Sequence, residues 1–167
     1  MLDEHLYSIT LGNVGEAFFS PHNIRVLRSL THERFPRLNL YVLTNGSLVT
    51  PRTWAKLGEG GEKIRAISVS IDGATPEVYE KLRVPAKRRV LCRNMEFVGR
   101  MRCEGRLDMF RIQCIVQGDN ICDIAKLYDK AVEWGELSCF RTVEELGGLY
   151  TGAVPSNGCC GSRPFLA

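Results

Sequence analysis

The chain has 167 residues, 44% hydrophobic and 25% charged, with a formal net charge of +3. That length holds one domain with a buried core, in the proportions of an ordinary globular protein. The small charge and the lack of a basic run interleaved with aromatics argue against nucleic acid as a partner, and no stretch approaches the about 18 apolar residues of a membrane-spanning helix.

The first residues, Met1 to His5, are acidic and lack an apolar run. They predict no signal peptide and a cytoplasmic location. The seven cysteines form no Cys-x2-Cys or Cys-x3-Cys pair. An odd, scattered set predicts reduced core thiols, not a disulfide framework. His5, His22 and His32 share no face and have no cysteine partner. They are expected at the surface, with no metal site among them.

Leu6 to Leu11 reads as a first strand, followed by the Gly-rich turn Gly12–Glu16. Ser20-Pro21 starts a helix, serine as N-cap and proline at the first helical position. Ile24, Leu27 and Leu30 give it an apolar face that ends near Arg34. Leu38 to Leu43 is the second strand and runs into Thr44-Asn45-Gly46. Thr50-Pro51 opens another helix by the same rule, with Trp54 and Leu57 inward and Gly58, Gly60 and Gly61 ending it.

Ile64 to Gly73 is the third strand. Ile67, Val69 and Ile71 line one face, and Ala66, Ser68 and Ser70 line the other. Small residues opposite β-formers predict packing on both sides. Thr75-Pro76 then opens a short helix to Leu82. Lys87-Arg88-Arg89 reads as a solvated helix start or as a face for an anionic ligand. The helix it opens runs to Cys103, with Val90, Leu91, Met95, Val98 and Met101 inward. Leu107 to Val116 is the fourth strand. Asn120 is placed to cap a helix carrying Ile121, Ile124, Leu127, Tyr128 and Ala131. Leu137 to Phe140 is a brief fifth strand. Alternation of this kind predicts an α/β domain with a parallel sheet and right-handed crossovers over residues 1–143. Residues 144–167, rich in glycine and without apolar periodicity, read as an irregular tail.

Parallel strands put four polar turns on one rim: Gly15-Glu16, Thr44-Asn45-Gly46, Ser70 to Gly73, and Gln117 to Asn120. Ligands of parallel α/β proteins are held at such ends. Glu16 and strand-end carbonyls suit an ammonium group. Ser70 and Asn45 suit a carboxylate or a ribose. Asp72 either caps the next helix or faces the ligand. The set binds by hydrogen bonds and offers no nucleophile, so no catalytic residue is assigned.

Gly15 to Pro21, Leu43-Thr44-Asn45-Gly46, Val69 to Thr75 and Tyr79-Glu80-Lys81-Leu82-Arg83 carry a resemblance. In order and spacing, over roughly residues 6–140, the chain resembles the radical S-adenosylmethionine superfamily. It is most similar to the branch whose members often carry a SPASM or twitch domain. The resemblance implies a partial (β/α) barrel with parallel strands, an incomplete (β/α)6 core. Gly15-Glu16 matches the family's Gly-Gly-Glu-Pro element, which receives the amino group of S-adenosylmethionine, with Val14 for the first glycine and Ala17 for the proline. Ser70 matches a serine that contacts the cofactor's ribose or carboxylate. Asn45 faces the same pocket, and Arg83 matches an arginine partner for a carboxylate. Gln117 to Asn120 fall where the ribose is approached.

The family holds a [4Fe–4S] cluster through a Cys-x3-Cys-x2-Cys loop after its first barrel strand. This chain has no such loop and begins near the family's second strand. Without three thiolates there is no site-differentiated cluster and no radical. The resemblance therefore implies a fragment of a radical S-adenosylmethionine enzyme, inactive as this chain. The complete parent would act on a peptide or small molecule. The alternative is a non-catalytic barrel remnant that binds S-adenosylmethionine, a nucleoside or a protein partner. A third reading is a structural partner whose open sheet edge is covered by another chain.

Overall fold

Runs of alternating β-formers become strands here, and runs led by Ser-Pro or Thr-Pro become helices. The computed structural model describes residues 5–12, 15–134 and 137–142. The strands are β1 (Ser8–Leu11), β2 (Asn39–Thr44), β3 (Ile64–Ser70), β4 (Met109–Val116) and β5 (Leu137–Thr142). The helices are α1 (Pro21–Ser29), α2 (Pro51–Ala55), α3 (Glu59–Glu62), α4 (Pro76–Leu82), α5 (Arg88–Cys103) and α6 (Ile124–Glu133). The domain is α/β, with a parallel sheet in the order β1-β2-β3-β4-β5. The irregular tail expected over 144–167 lies outside the described residues.

Both Pro-led starts near the N-terminus behave as local chemistry demands. Ser20 Oγ accepts from His22 N at 3.2 Å, and Thr50 Oγ1 accepts from Thr53 N at 3.0 Å. Each satisfies an N–H that the helix itself leaves unbonded.

An unreversed strand order winds each crossover in the same sense, which gathers the helices on one face. The core confirms it. Leu40, Val42, Ile67, Val69, Phe110 and Ile112 from the strands join Leu27, Leu57, Leu91, Met95 and Leu127 from the helical layer. A bulge sets this phase. Leu40 pairs with Ile64 but Tyr41 pairs with Ala66, so Arg65 is an extra residue in β3. Ile64 and Ile67 both reach the core as a result.

The other face is open. Ladder partners share a face, so Tyr41, Ala66 and Met109 lie together, as do Leu43, Ser68 and Arg111, and then Ser70 and Gln113. Tyr41 is 40% exposed, while Ser70, Met109, Arg111 and Gln113 are half-buried. The expected packing on both sides of β3 is therefore met by a helical layer on one side only. Ala66 is buried outside the helix-packed core, flanked by the larger Tyr41 and Met109.

Four expectations about the helical layer need correction. The first helix ends at Ser29, not near Arg34. Beyond it Thr31 Oγ1 accepts from Arg34 N and holds a turn. Gly60 and Gly61 lie inside the short helix α3, buried where the chain passes close to Leu27. Ile121 lies in a 3-10 turn, Ile121–Asp123, and is exposed; the buried face of α6 is Leu127 and Ala131. Arg88, read as solvated, is 4% exposed. Its Nε donates to Ala74 O at 2.8 Å, its guanidinium lies 5.3 Å from the Trp134 ring centroid, and its Nη1 meets Cys92 Sγ. Lys87 and Arg89 remain exposed, as expected. His5, His22 and His32 are exposed too.

The cysteines divide. Cys114 is buried in the core, whereas Cys103 and Cys122 are exposed and Cys92 is half-buried. Burial, with a smaller contribution from Asp72, pushes the Cys114 thiol from 9.0 up to about 12; Arg83 opposes this weakly. Between these values the unfolded thiol is ionised and the folded one keeps its proton. Stability therefore falls as pH rises through that window, by up to about 1.4 kcal/mol per pH unit. Urea midpoints at about pH 8 and about pH 10 are expected to separate more for the native chain than for Cys114→Ala. Equal separations would exclude Cys114 as the source.

Among the described residues no helix is long and apolar enough to cross a membrane.

Candidate functional site

The loops that leave the C-terminal ends of β1 to β4 meet on one edge of the sheet, because the strands are parallel. The expected site residues fall into two bonded groups there, with Ser70 between them.

The first group joins β1 to β2. Glu16 Oε1 accepts from Thr44 Oγ1 at 2.5 Å, and its Oε2 accepts from Asn45 N at 2.8 Å. Phe18 N is a longer third donor, at 3.5 Å. An ionised carboxylate has about four lone-pair positions, so one remains for an ammonium group. Asn45 Oδ1 accepts from Ser47 N at 2.9 Å and shapes the turn, leaving its amide donors available. Gly15 is exposed with φ +80, a conformation that favours glycine. Val14, the departure from the family element, lies outside the described residues.

The turn after β2 is seated from behind. Gly46 has φ +78, and a Cβ there would stand 2.8 Å from Val69 Cγ1 and 2.9 Å from Leu91 Cδ1. Asn94 of α5, buried, donates to Gly46 O at 2.8 Å and Ser47 O at 2.9 Å. The apolar face expected of α5 does not include Asn94. A polar residue on the buried side of that helix was the available signal.

The second group joins β3 to β4. Asp72 neither caps the next helix nor faces outward. Its Oδ2 accepts from Arg83 Nε at 2.6 Å and its Oδ1 from Ile115 N at 3.0 Å. Asn120 does not cap its helix either. It is 1% exposed, and its amide donates to Asp72 O at 3.0 Å and Ile115 O at 2.8 Å. Its Oδ1 accepts from Gln117 N at 2.8 Å. Asp72 and Asn120 thus hold the rim together from below. Arg83, tied at Nε, keeps its two terminal nitrogens without a bond among the described residues.

Asp123 instead holds the turn that leads into α4. Its Oδ2 accepts from Ala74 N at 2.6 Å and Thr75 N at 2.9 Å, at the start of α4. Those partners lie 48 and more positions apart in sequence. No local spacing signals such a bond.

Ser70 closes β3 beside Gln113, half-buried on the open face. Its hydroxyl makes no side-chain bond among the described residues. The uncommitted groups of the rim are therefore the Ser70 hydroxyl, the Asn45 amide, one Glu16 lone pair, the Gln117 side chain and the Arg83 terminal nitrogens. They offer donors for a carboxylate or ribose and an acceptor for an ammonium group. Among the described residues, no three His, Cys, Asp or Glu side chains come together to hold a metal. Those residues do not fit an iron–sulfur cluster.

No family model matches the chain, and no curated protein matches it either.

Proposed function

We propose that this chain is the cofactor-holding part of a radical-S-adenosylmethionine-type barrel and binds S-adenosylmethionine along the rim of β1 to β4. The observation that carries the reading is the split of the rim into committed and uncommitted groups. Asp72 and Asn120 are bonded to other groups of the protein. The groups left over lie at the ends of four strands and match an amino acid joined to a nucleoside. Glu16 takes the ammonium, Arg83 and Asn45 the carboxylate, and Ser70 or Gln117 a ribose hydroxyl. A sheet with helices on one face and an open polar face on the other supports a partial barrel. Radical chemistry belongs to an enzyme that supplies three thiolates. This chain's own residues bind and orient the cofactor.

Calorimetric titration with S-adenosylmethionine tests the proposal. Saturable binding at one site is expected. Ser70→Ala is expected to weaken it by about tenfold, the worth of one good bond to a charged or polar group. Because the Ser70 hydroxyl is unbonded, the urea midpoint of that variant is expected to stay unchanged. Absence of binding, with the chain eluting as a dimer on sizing, would instead support the structural-partner reading.

A further inference from the structure

Two buried polar atoms on the open face have nothing to bond. Ser68 is 8% exposed, and neither its Oγ nor Arg111 Nε has a hydrogen-bond partner among the described residues. The two residues are ladder partners on β3 and β4. Among the described residues, Arg111 Nη2 reaches only the thioether of Met109, at 3.5 Å, a weak acceptor. The other inward-lying arginines each have a partner at Nε: Arg83 donates to Asp72, and Arg88 donates to Ala74 O and lies over the Trp134 ring. None of the ion pairs of the described residues includes Arg111.

A buried N–H or hydroxyl without a partner costs about 1–3 kcal/mol. Such a cost is relieved when a ligand supplies the missing acceptor. A guanidinium has donors alone, in a planar fork that matches a carboxylate or phosphate. The serine beside it can donate as well. No acidic residue shares that face on β1 to β4, where the ladder partners of Ser68 are Leu43 and Arg111. The next pair toward the rim, Ser70 and Gln113, stands one pleat higher, about 7 Å along the strands.

We propose that Arg111 and Ser68 form an oxyanion subsite on the open face, one pleat below Ser70 and Gln113. It takes the carboxylate or phosphate of a small molecule whose other end lies at the rim. That the molecule is the substrate of a cofactor held above it rests on the reading given under Proposed function. The subsite itself stands on the two unbonded atoms.

The test follows the arginine Nε–H resonances of the isotope-labelled full chain. The Arg111 signal is identified by its loss in Arg111→Lys. Inorganic phosphate and acetate are added separately at ionic strength held with chloride. A saturable shift of the Arg111 signal is expected with at least one of them. Response to phosphate alone assigns a phosphate ester, response to acetate alone a carboxylate, and response to both supports the shared oxyanion chemistry. Ser68→Ala, which removes one unbonded oxygen, is expected to fold normally and to weaken the response several-fold. S-adenosylmethionine is titrated into the same samples. Oxyanion binding without cofactor binding leaves the subsite standing and defeats the rim reading. No saturable shift in the folded native chain, or an unaltered response in Ser68→Ala, overturns the subsite whatever the cofactor does.

Discussion

Replacing Asn120 by alanine is expected to destabilise the chain by about 3–5 kcal/mol, read as the change in unfolding free energy from urea titration. The side chain is 1% exposed and makes three backbone bonds, to Asp72 O, Ile115 O and Gln117 N. Truncation leaves all three groups without their partner, and each that stays shielded from water costs about 1–3 kcal/mol. Asn120→Asp is expected to do as much harm, because an oxygen replaces the amide that donates to two carbonyls. A loss below about 1 kcal/mol in both variants would mean that the β3 and β4 ends are held some other way. Those bonds join the turn that carries Asp72 to the turn that carries Gln117, so the rim is expected to loosen with them. Cofactor affinity in a partly stable Asn120 variant is expected to fall along with stability. In Ser70→Ala it falls alone.

Gly60→Ala is expected to cost about 3 kcal/mol or more, or to prevent cooperative folding. A Cβ at Gly60 would stand 1.9 Å from Leu27 O and 2.7 Å from Leu27 C. Both are backbone atoms of α1, so no side-chain rotation relieves the clash. Leu27 is 1% exposed in the core, and moving it separates α1 from α3. The neighbouring glycine provides the control. At Gly61 the nearest atoms are Leu57 Cβ at 3.2 Å and Trp54 Nε1 at 3.3 Å, both on side chains. These contacts are only a few tenths of an ångström too close, against 1.9 Å at Gly60, and alanine gains about 1 kcal/mol of helix propensity over glycine. Gly61→Ala is therefore expected to change stability by about 1 kcal/mol at most. Circular dichroism melts of the two variants separate the cases, and similar melts would mean that α3 moves freely on α1.

Much of the architecture was legible because its causes are local. Ser20 and Thr50 cap their helices with bonds two and three residues long, and capping motifs of that reach are visible in a sequence. The hydrophobic period switching between strand and helix gave the five strands and the order of the main helices, but not the separate short helix α3. The positions of Glu16, Asn45, Ser70 and Asp72 on one rim followed from parallel pairing alone. What those residues do there did not follow. Asp72 was open between capping and binding, and its carboxylate accepts from Arg83 and Ile115, 11 and 43 positions away, without capping α4. Asp123, from beyond β4, holds the turn ahead of α4. Arg88 looked like a solvated charge because Ala74 O and Trp134, which bury it, are remote in the chain.

The division has one physical origin. Periodicity, caps and turn residues act over a few positions, and they sufficed for the β/α order, the parallel sheet and the turns at its rim. Which face of the sheet the helices cover depends on the unreversed strand order and on the extra residue Arg65 in β3. Neither can be read from any single segment. The same long-range pairing left Ser68 and Arg111 side by side and unbonded on the open face. It also spent Asp72 and Asn120 on holding the rim, while Ser70 was left with its hydroxyl unused. Partners tens of residues apart decide whether a polar side chain supports the fold or is left over for a ligand.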